Sequence, residues 1–292
     1  MDFAFYWKKS KQIIDRLIED YLASIKEWEL LEVSKYILKD GKRFRATLTM
    51  FFTEALGGEL ENSYKAALAT EILHSASLAL DDIVDYDTVR RGVASAWAVY
   101  TNRRVIFITN YLIPTALNMI SSYGERALKL SIDLWRDTAI GALKDMYGSP
   151  KNYLETIELK TASLFKLSTM LSAFSANKEE YADLMLDLGK YLGIAYQVID
   201  DYVDCVKYEK KEIKELVGSA KQLYEFKGSD YPKYVKEVYN DAVTNYISTV
   251  KKLDIKEGFR DTTILIPSFL AYGLLNEAGI SEEFLSFSNN KL

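Results

Sequence analysis

The sequence predicts an all-α protein, a single domain of ten or more helices that spans residues 1–292. Glycine (14) and proline (4) are scarce, whereas average usage of about 7% and 5% would give roughly twenty and fifteen. Apolar residues recur at the spacing of amphipathic helices in segment after segment, and no segment alternates apolar and polar residues as a half-buried strand does. A chain with so few turn residues and this spacing is expected to form long helices.

The predicted helices follow one another along the whole chain, and breaking residues mark several of their ends. Gly57 and Gly58 end the third helix, and Pro114 predicts a kink. Ser149 followed by Pro150 predicts an N-cap and a first helical residue. The predicted helices cover about residues 13–22, 30–38, 44–56, 63–92, 104–121, 124–147, 149–175, 179–204, 234–253, 267–278 and 281–287.

Charge and cysteine content narrow the class of protein. The formal net charge of −5 argues against a nucleic-acid partner. The single cysteine, Cys205, cannot form an internal disulfide and is read as a packing residue, so a reducing cytoplasm is expected. No run reaches the roughly 18 apolar residues of a membrane span, and the N-terminal order of acid, aromatics and base is not that of a signal peptide. We therefore expect an unprocessed cytoplasmic protein without a membrane anchor.

Two aspartate clusters near the ends of apolar helical runs indicate the chemistry. Residues i and i+4 share a helix face, where like charges repel, and the C-terminal end of a helix disfavours anions. Most acidic clusters are solvated surface, but two clusters on largely buried helices need cations. Carboxylates without a cysteine or histidine cluster favour a hard ion such as Mg²⁺, held together with substrate phosphates. The clusters, each with aspartates at i, i+1 and i+4, are Asp81, Asp82 and Asp85, and Asp200, Asp201 and Asp204.

Basic residues around the clusters predict a highly phosphorylated substrate. The only histidine, His74, lies seven residues before Asp81 and therefore faces the same way. A lone histidine on an apolar helix is more often a core residue, but this helix face already carries site candidates, so we assign His74 to the site. The basic candidates are Lys42, Arg43, Arg45, Arg90, Arg91 and Lys160, the last followed by Thr161.

In order and over nearly the whole chain, these motifs resemble those of the trans-isoprenyl diphosphate synthases (polyprenyl synthetases). DGKRFR (40–45) resembles the Gly-Gly-Lys-Arg-x-Arg-Pro motif, and residues 71–92 resemble the first aspartate-rich motif with its Arg-Arg-Gly. LKTASLF (159–165) resembles the Lys-Thr motif, and YQVIDDYVD (196–204) resembles the second aspartate-rich motif with its glutamine, Gln197. Within this family the sequence is most similar to the archaeal hexaprenyl diphosphate synthases.

The resemblance implies a homodimer of mostly antiparallel helices around a deep central cavity, with the two aspartate clusters facing each other across its mouth. About three Mg²⁺ would join the six aspartates to the diphosphate of a farnesyl or geranylgeranyl primer. The Lys160–Thr161 carbonyl and Gln197 would stabilise the allylic cation. The other implied contacts divide between the two substrates: Arg90, Lys160, Gln197 and Lys221 for the allylic diphosphate, and Lys42, Arg45, His74 and Arg91 for isopentenyl diphosphate.

The implied reaction adds isopentenyl diphosphate head to tail by ionisation, condensation and elimination. The expected product is a medium or long all-trans polyprenyl diphosphate, with hexaprenyl diphosphate expected from the resemblance. The chain departs from the family pattern at four positions: Asp40 replaces a glycine, Ala46 a proline, Asn110 an aspartate and Ala142 a glutamine. None of the four is a metal ligand or a matched basic residue, so an active enzyme is expected.

Product length is expected to depend on the depth of the cavity below the first cluster. Ala76 and Ser77 lie about one turn before Asp81 and are small, which favours a long product. Trp135 lies on the same helix face as Ala142, roughly 10 Å away along the axis, and is a candidate floor. Ordinary packing in the core or in a dimer interface is an equally good interpretation of Trp135.

Other functions remain open at this point: a geranylgeranyl diphosphate synthase, a class I terpene cyclase or head-to-head condensing synthase, a regulatory subunit of a heteromeric synthase, and a purely structural helical protein, against which the cost of two buried acidic clusters argues. A cyclase does not bind isopentenyl diphosphate, so it would not be expected to have the set Lys42, Arg45, His74 and Arg91. A regulatory subunit is expected to have lost metal ligands, whereas all six aspartates stand in this sequence. Transient membrane contact would fit the release of a long product.

Overall fold

The computed structural model describes residues 2–90 and 92–285, and these are overwhelmingly helical, which confirms the all-α class. One π-helical turn, Glu158–Ala162, joins two of the helices. The α-helices of the described residues are α1 (Phe3–Ala23), α2 (Trp28–Leu38), α3 (Phe44–Ala55), α4 (Tyr64–Val84), α5 (Ala96–Tyr100), α6 (Asn102–Ser121), α7 (Glu125–Tyr147), α8 (Tyr153–Ile157), α9 (Ser163–Ser175), α10 (Ala182–Glu209), α11 (Gly218–Lys227), α12 (Tyr231–Val250) and α13 (Glu257–Glu277).

A short hairpin corrects the helix predicted over 63–92. Helix α4 ends at Val84, and strands β1 (Val89–Arg90) and β2 (Val93–Ala94) follow as an antiparallel pair. The helix stops because Tyr86 adopts a left-handed backbone with φ 56°, which is incompatible with a right-handed helix. The expectation that the chain contains no strand is therefore wrong at this hairpin.

Other helix boundaries also differ from the predictions. The segment predicted as one helix over 149–175 is divided into α8, the π-helical turn and α9, although Ser149 and Pro150 do cap its start in a 3₁₀ turn. Helix α11 was not predicted, and α13 begins ten residues before Pro267 and continues through it. The predicted final helix, 281–287, lies partly outside the described residues, and within them residues 282–285 form a 3₁₀ turn.

The described chain divides into two compact units, so each is presented separately. The unit that we call N comprises residues 2–133 and 167–182, and unit C comprises residues 134–166 and 183–285. The boundaries between the units fall within α7, within α9 and after the first residue of α10. The single domain over residues 1–292 stays a prediction.

In unit N, α4 occupies the centre and carries the first aspartate cluster at its end. It packs against α3 and α6 and buries Ile72 and Leu73 completely. Apolar burial of such side chains contributes about 1.5–3 kcal/mol each. The core thereby fixes the orientation of the half-buried face that holds His74 and Asp81.

In unit C, α10 runs through an apolar core and carries the second cluster in its last turns. Val198 and Ile199 are fully buried and belong to the same core cluster as Tyr153 of α8 and Tyr239 of α12. Cys205 is also fully buried in this core, as its interpretation as a packing residue predicts.

Among the described residues, no helix combines the length and apolarity needed to cross a lipid bilayer.

Candidate active site

The first cluster contains three aspartates in three different environments. Asp81 is half-buried, Asp82 is buried, and Asp85 is the exposed C-cap of α4. Arg90 of β1 donates hydrogen bonds to Oδ1 of Asp82 from Nε, at 2.7 Å, and from Nη2. The sequence predicts that the cluster projects its carboxylates in one direction. In the structure Arg90 binds the Asp82 carboxylate, which therefore faces the hairpin.

Arg90 is held as a cation by its surroundings. Burial lowers the pKa of its guanidinium, but Asp82, Asp87 and Asp81 raise it more, so the net shift is upward. The hairpin therefore places a permanent positive charge beside the first cluster. The predicted contact Arg91 lies outside the described residues.

The segment between α2 and α3, residues 39–43, contains the first departure from the family pattern. We call it loop 39–43. Asp40 and Arg43 both have left-handed backbones, with φ 48° and 57°. The family's glycine at position 40 suits such a backbone, and aspartate is among the few other residues that tolerate it. Ala46, in place of proline, lies in the first turn of α3, where proline is tolerated but not required.

Arg43 is one of the basic candidates from the sequence but received no substrate contact from the resemblance, and in the structure it organises this loop. Its side chain is 4% exposed and donates to Asp15 Oδ1 at 2.9 Å, Glu71 Oε1 at 3.0 Å and the Leu38 carbonyl at 2.8 Å. A Cβ at Gly41 would lie 2.8 Å from Nη1 of Arg43. A side chain at position 41 would therefore have to displace this guanidinium from its carboxylate partners.

Two of the residues predicted to contact isopentenyl diphosphate meet beside α4. Nη1 of Arg45 lies 3.0 Å from Nε2 of His74. Arginine can only donate hydrogen bonds, so this contact uses Nε2 of His74 as the acceptor. Lys42 is exposed on loop 39–43. Arg45 and His74 thus form one contact, and their shared role in binding isopentenyl diphosphate stays a prediction.

The second cluster has its middle aspartate buried and strongly held. Asp201 accepts hydrogen bonds from Tyr153 and Ser219, both at 2.8 Å, and from Gln197 at 3.0 Å. Burial and the neighbouring carboxylate of Asp200 raise the pKa of Asp201 to about 8, although the three donors oppose the shift. An acid with so high a pKa favours a proton or a cation at this position.

The amide of Gln197 links the second cluster to the Lys-Thr motif. Thr161 donates to its Oε1 at 2.8 Å, which fixes the amide so that Nε2 faces Asp201 and, at 3.4 Å, Asp200. Asp204 is half-buried and lies 3.8 Å from Lys207. Burial raises its pKa and Lys207 opposes the shift.

The π-helical turn positions Lys160. Nζ of Lys160 donates at 2.6 Å to Oδ2 of Asp145, a buried aspartate on α7 that sequence reasoning did not single out. Gly141 of α7 lies so close to this turn that a Cβ there would be 2.1 Å from the backbone nitrogen of Lys160. π-helical turns often occur at functional sites. The available signal for Asp145 was its position in the segment GALKD, three residues after the departure at Ala142.

The remaining candidates are less tightly placed. Lys221 of α11 is exposed and lies 3.9 Å from Glu225, one turn away. Ala76 is fully buried, whereas Ser77 is half-buried and donates to the His74 carbonyl at 2.8 Å. Ser77 therefore lies on the partly exposed face of α4 and Ala76 does not. Trp135 and Ala142 are both half-buried on α7, and their roles in chain length stay predictions.

The donor set fits a hard divalent cation that also binds substrate. Both clusters offer carboxylate oxygens only, which suit Mg²⁺. Across residues 2–90 and 92–285, no three histidine, cysteine, aspartate or glutamate side chains are close enough to hold a metal ion by themselves. A cation at either cluster would therefore complete its coordination with water and phosphate oxygens.

Comparison with known proteins agrees with these motifs. Residues 27–219 match the family model for polyprenyl synthetase. The chain is 54% identical to hexaprenyl pyrophosphate synthase of Saccharolobus solfataricus, over 97% of this chain and 100% of that one.

Solved structures of the same kind share the fold. A geranyltranstransferase of Methanosarcina mazei superposes with a TM-score of 0.76 at 27% identity, over 90% of this chain and 97% of that one. A geranylgeranyl pyrophosphate synthetase of Geoglobus acetivorans gives a TM-score of 0.77 at 22% identity, over 90% and 98%. With the ordered motifs and the near-complete match to a curated relative, the chain belongs to the polyprenyl synthetase family.

Proposed function

We propose that this chain is a hexaprenyl diphosphate synthase, which adds isopentenyl diphosphate units head to tail to an allylic diphosphate. The chemistry is carried by one structural observation: near the C-terminal ends of helices α4 and α10 lies an aspartate pair at i and i+4, and the aspartate next to each pair is held by protein donors. The assignment of hexaprenyl diphosphate as the product is supported by the 54% identity to a hexaprenyl pyrophosphate synthase over nearly the whole chain.

The metal of the proposed reaction is Mg²⁺, with about three ions per site. The sequence predicts six aspartate ligands. We assign direct contacts to Asp81, Asp85, Asp200 and Asp204. Asp82 and Asp201 would orient the clusters, because Arg90 binds the first and Tyr153, Ser219 and Gln197 bind the second. When bound, the ions would neutralise the charge that develops on the leaving diphosphate.

The protein's own side chains would bind and orient both substrates. Arg90, Lys160, Gln197 and Lys221 hold the allylic diphosphate, while Lys42, Arg45, His74 and Arg91 hold isopentenyl diphosphate. The Lys160–Asp145 ion pair holds that ammonium group in place before substrate arrives. Thr161 fixes the Gln197 amide, so that its dipole is already oriented when the allylic carbon becomes positive.

The bond changes then balance without a protein nucleophile. The allylic C–O bond breaks and its electron pair leaves with the diphosphate. The double bond of isopentenyl diphosphate attacks the resulting cation and forms the new C–C bond. A proton leaves to the departed diphosphate, which restores a double bond and extends the chain by five carbons.

We also propose a cytoplasmic homodimer. Helix α6 exposes Ile106, Phe107 and Tyr111 at 40%, 74% and 42%, a grouping of apolar side chains that a second copy could cover. The lone, buried Cys205 fits a reducing compartment. Sedimentation of the purified protein would give the mass of one chain instead of two if this proposal were wrong.

The proposed chemistry is tested by conservative changes at the outer aspartates. Asp85→Asn and Asp204→Asn should each lower the incorporation of labelled isopentenyl diphosphate by more than about 100-fold, because several kcal/mol of transition-state stabilisation would be lost. Asp241→Asn, on the exposed surface of α12, is the matched control. Full activity in either site variant, or incorporation in the presence of a chelator, would contradict the proposal.

A further inference from the structure

We propose that α1 is a positioning element for isopentenyl diphosphate, in which Trp7 and Asp15 hold loop 39–43 in the shape that presents Lys42 and Arg45. The inference rests on the proposed function, which gives those two basic residues their substrate. Neither Trp7 nor Asp15 belongs to any of the motifs recognised in the sequence, and both precede Lys42 and Arg45 by more than twenty residues.

Helix α1 is itself fixed firmly to α3. Tyr6 donates to Glu54 Oε2 at 2.6 Å. The rings of Phe3 and Tyr6 meet Phe51 edge-on, with centroids 5.3 and 5.2 Å apart. Since Phe51 is fully buried, these contacts join α1 to the core of unit N. The helix can therefore act as a rigid support for whatever its other side chains hold.

Trp7 binds the loop on one side of Arg43 and packs against the residue on the other. Its Nε1 donates to the Lys42 carbonyl at 2.5 Å. Its ring stacks on Phe44, with centroids 4.4 Å apart and an interplanar angle of 20°. These two contacts fix the backbone beside Lys42 and the start of α3, from which Arg45 projects.

Asp15 holds the loop through Arg43. The guanidinium bridges Asp15 of α1 to Glu71 of α4, which lies three residues before His74. Glu71 is 2% exposed, so its ion pair with Arg43 is almost completely removed from water. This bridge sets the loop relative to the helix that carries His74.

The loop benefits from such contacts because two of its residues have a costly backbone conformation and one of its sides faces a cavity. Two of its residues, Asp40 and Arg43, have left-handed backbones that non-glycine residues adopt at a cost. A cavity of about 270 Å³ between α1 and α2 is lined by Asp40 and Arg43, so packing does not support this side of the loop. The hydrogen bond from Trp7 and the ion pair from Asp15 stabilise the loop on this side, where packing against a core does not.

The test uses Trp7→Phe, which keeps a ring to stack on Phe44 but removes the N–H donor, and Asp15→Asn, which removes the charge at a half-exposed side chain. Trp28→Phe, at the exposed start of α2, is the matched control. Equilibrium dialysis with labelled isopentenyl diphosphate measures the affinity that depends on the shape of loop 39–43. The turnover rate with a farnesyl or geranylgeranyl primer tests the proposed function.

We expect both variants to bind isopentenyl diphosphate about tenfold more weakly, a loss of about 1.4 kcal/mol, with an unchanged KM for the allylic primer. A purely structural role would lower Tm and the active fraction but leave the two substrates equally affected. Wild-type affinity in both variants, with normal turnover, would overturn the role of α1 alone. Failure of the wild-type protein to turn over would overturn the proposed function, and its failure to bind isopentenyl diphosphate would overturn both.

Discussion

Gly141 lets the π-helical turn that carries Lys160 pack closely against α7. Replacing Gly141 with alanine should therefore lower enzyme activity much more than it lowers stability. A Cβ at position 141 would lie 2.1 Å from the Lys160 nitrogen and 2.5 Å from the Leu159 carbonyl carbon. Both are backbone atoms, so no side-chain rotation can relieve the overlap. The π-helical turn would have to move away from α7 and carry Lys160 with it.

The magnitude follows from two opposing effects. Overpacking costs about 1–3 kcal/mol, while the glycine-to-alanine change within a helix returns about 0.5–1 kcal/mol. We therefore expect a net loss of about 0–2.5 kcal/mol in the free energy of unfolding, and Tm lower by up to a few degrees. The effect on turnover should be larger, because a displacement of about 1 Å at a positioning group can cost about 100-fold.

Gly273→Ala is the matched control for Gly141→Ala. Gly273 also lies within a helix, α13, but a Cβ there would meet no atom within 4 Å. This variant should be slightly more stable than wild type and fully active. Thermal unfolding and isopentenyl diphosphate incorporation, measured on both variants, separate the two effects. A Gly141→Ala protein with wild-type Tm and wild-type turnover would refute the close approach of α7 and the π-helical turn.

Four further predictions concern product length, the second cluster and pH. Ala76→Tyr and Ser77→Phe should each shorten the product that chromatography resolves, because both residues lie about one turn before Asp81; Ala76→Tyr should also lower Tm, since Ala76 is fully buried. Trp135→Ala should lengthen the product, and an unchanged product distribution on chromatography would remove Trp135 as the floor. Tyr153→Phe removes one of three donors to Asp201 and should cost about 1 kcal/mol in stability and up to about tenfold in kcat/KM. Because burial raises the folded-state pKa of Asp201 from 3.8 to about 8, its contribution to stability is complete below about pH 4 and is lost as pH rises through 8. The metal-free protein should therefore lose stability to unfolding as the pH rises from about 4 to 8. Thermal unfolding measured across this pH range checks the prediction, and the Asp201→Asn variant should lack this part of the pH dependence.

The helices were predictable because burial of one face imposes the same spacing on almost every segment. The positions at which the helices begin and end were less predictable, because they depend on tertiary contacts as well as on the local sequence. Pro267 was expected to begin a helix but lies in the middle of α13, so the helix is maintained on both sides of the missing N–H. The end of α4 depends on a left-handed residue, Tyr86, whose side chain gives no sequence signal for that backbone.

The candidate site was predictable where chemistry repeats at helical spacing. Aspartates at i, i+1 and i+4 stand out in a sequence because like charges rarely accumulate near the end of a buried helix. Single residues that support them do not stand out. Asp145 and Tyr153 reach Lys160 and Asp201 from other segments of the chain, and only the fold brings them together.

Arg43 shows the same limit within a motif that was recognised. Its neighbours Lys42 and Arg45 were assigned to substrate, and the pattern alone cannot tell an exposed basic residue from a buried one. The structure separates them, since Lys42 is exposed and Arg43 is 5% exposed with two carboxylate partners.

The central claim is tested most directly by incubating the purified wild-type chain with labelled isopentenyl diphosphate, Mg²⁺ and a farnesyl or geranylgeranyl primer, then sizing the dephosphorylated products. The account predicts metal-dependent incorporation that ends at a product of about six isoprene units, as expected for an ionisation–condensation–elimination enzyme with a deep product site. A product that stops at four units would contradict the hexaprenyl assignment. Absence of incorporation with either primer would contradict the prenyl synthase itself.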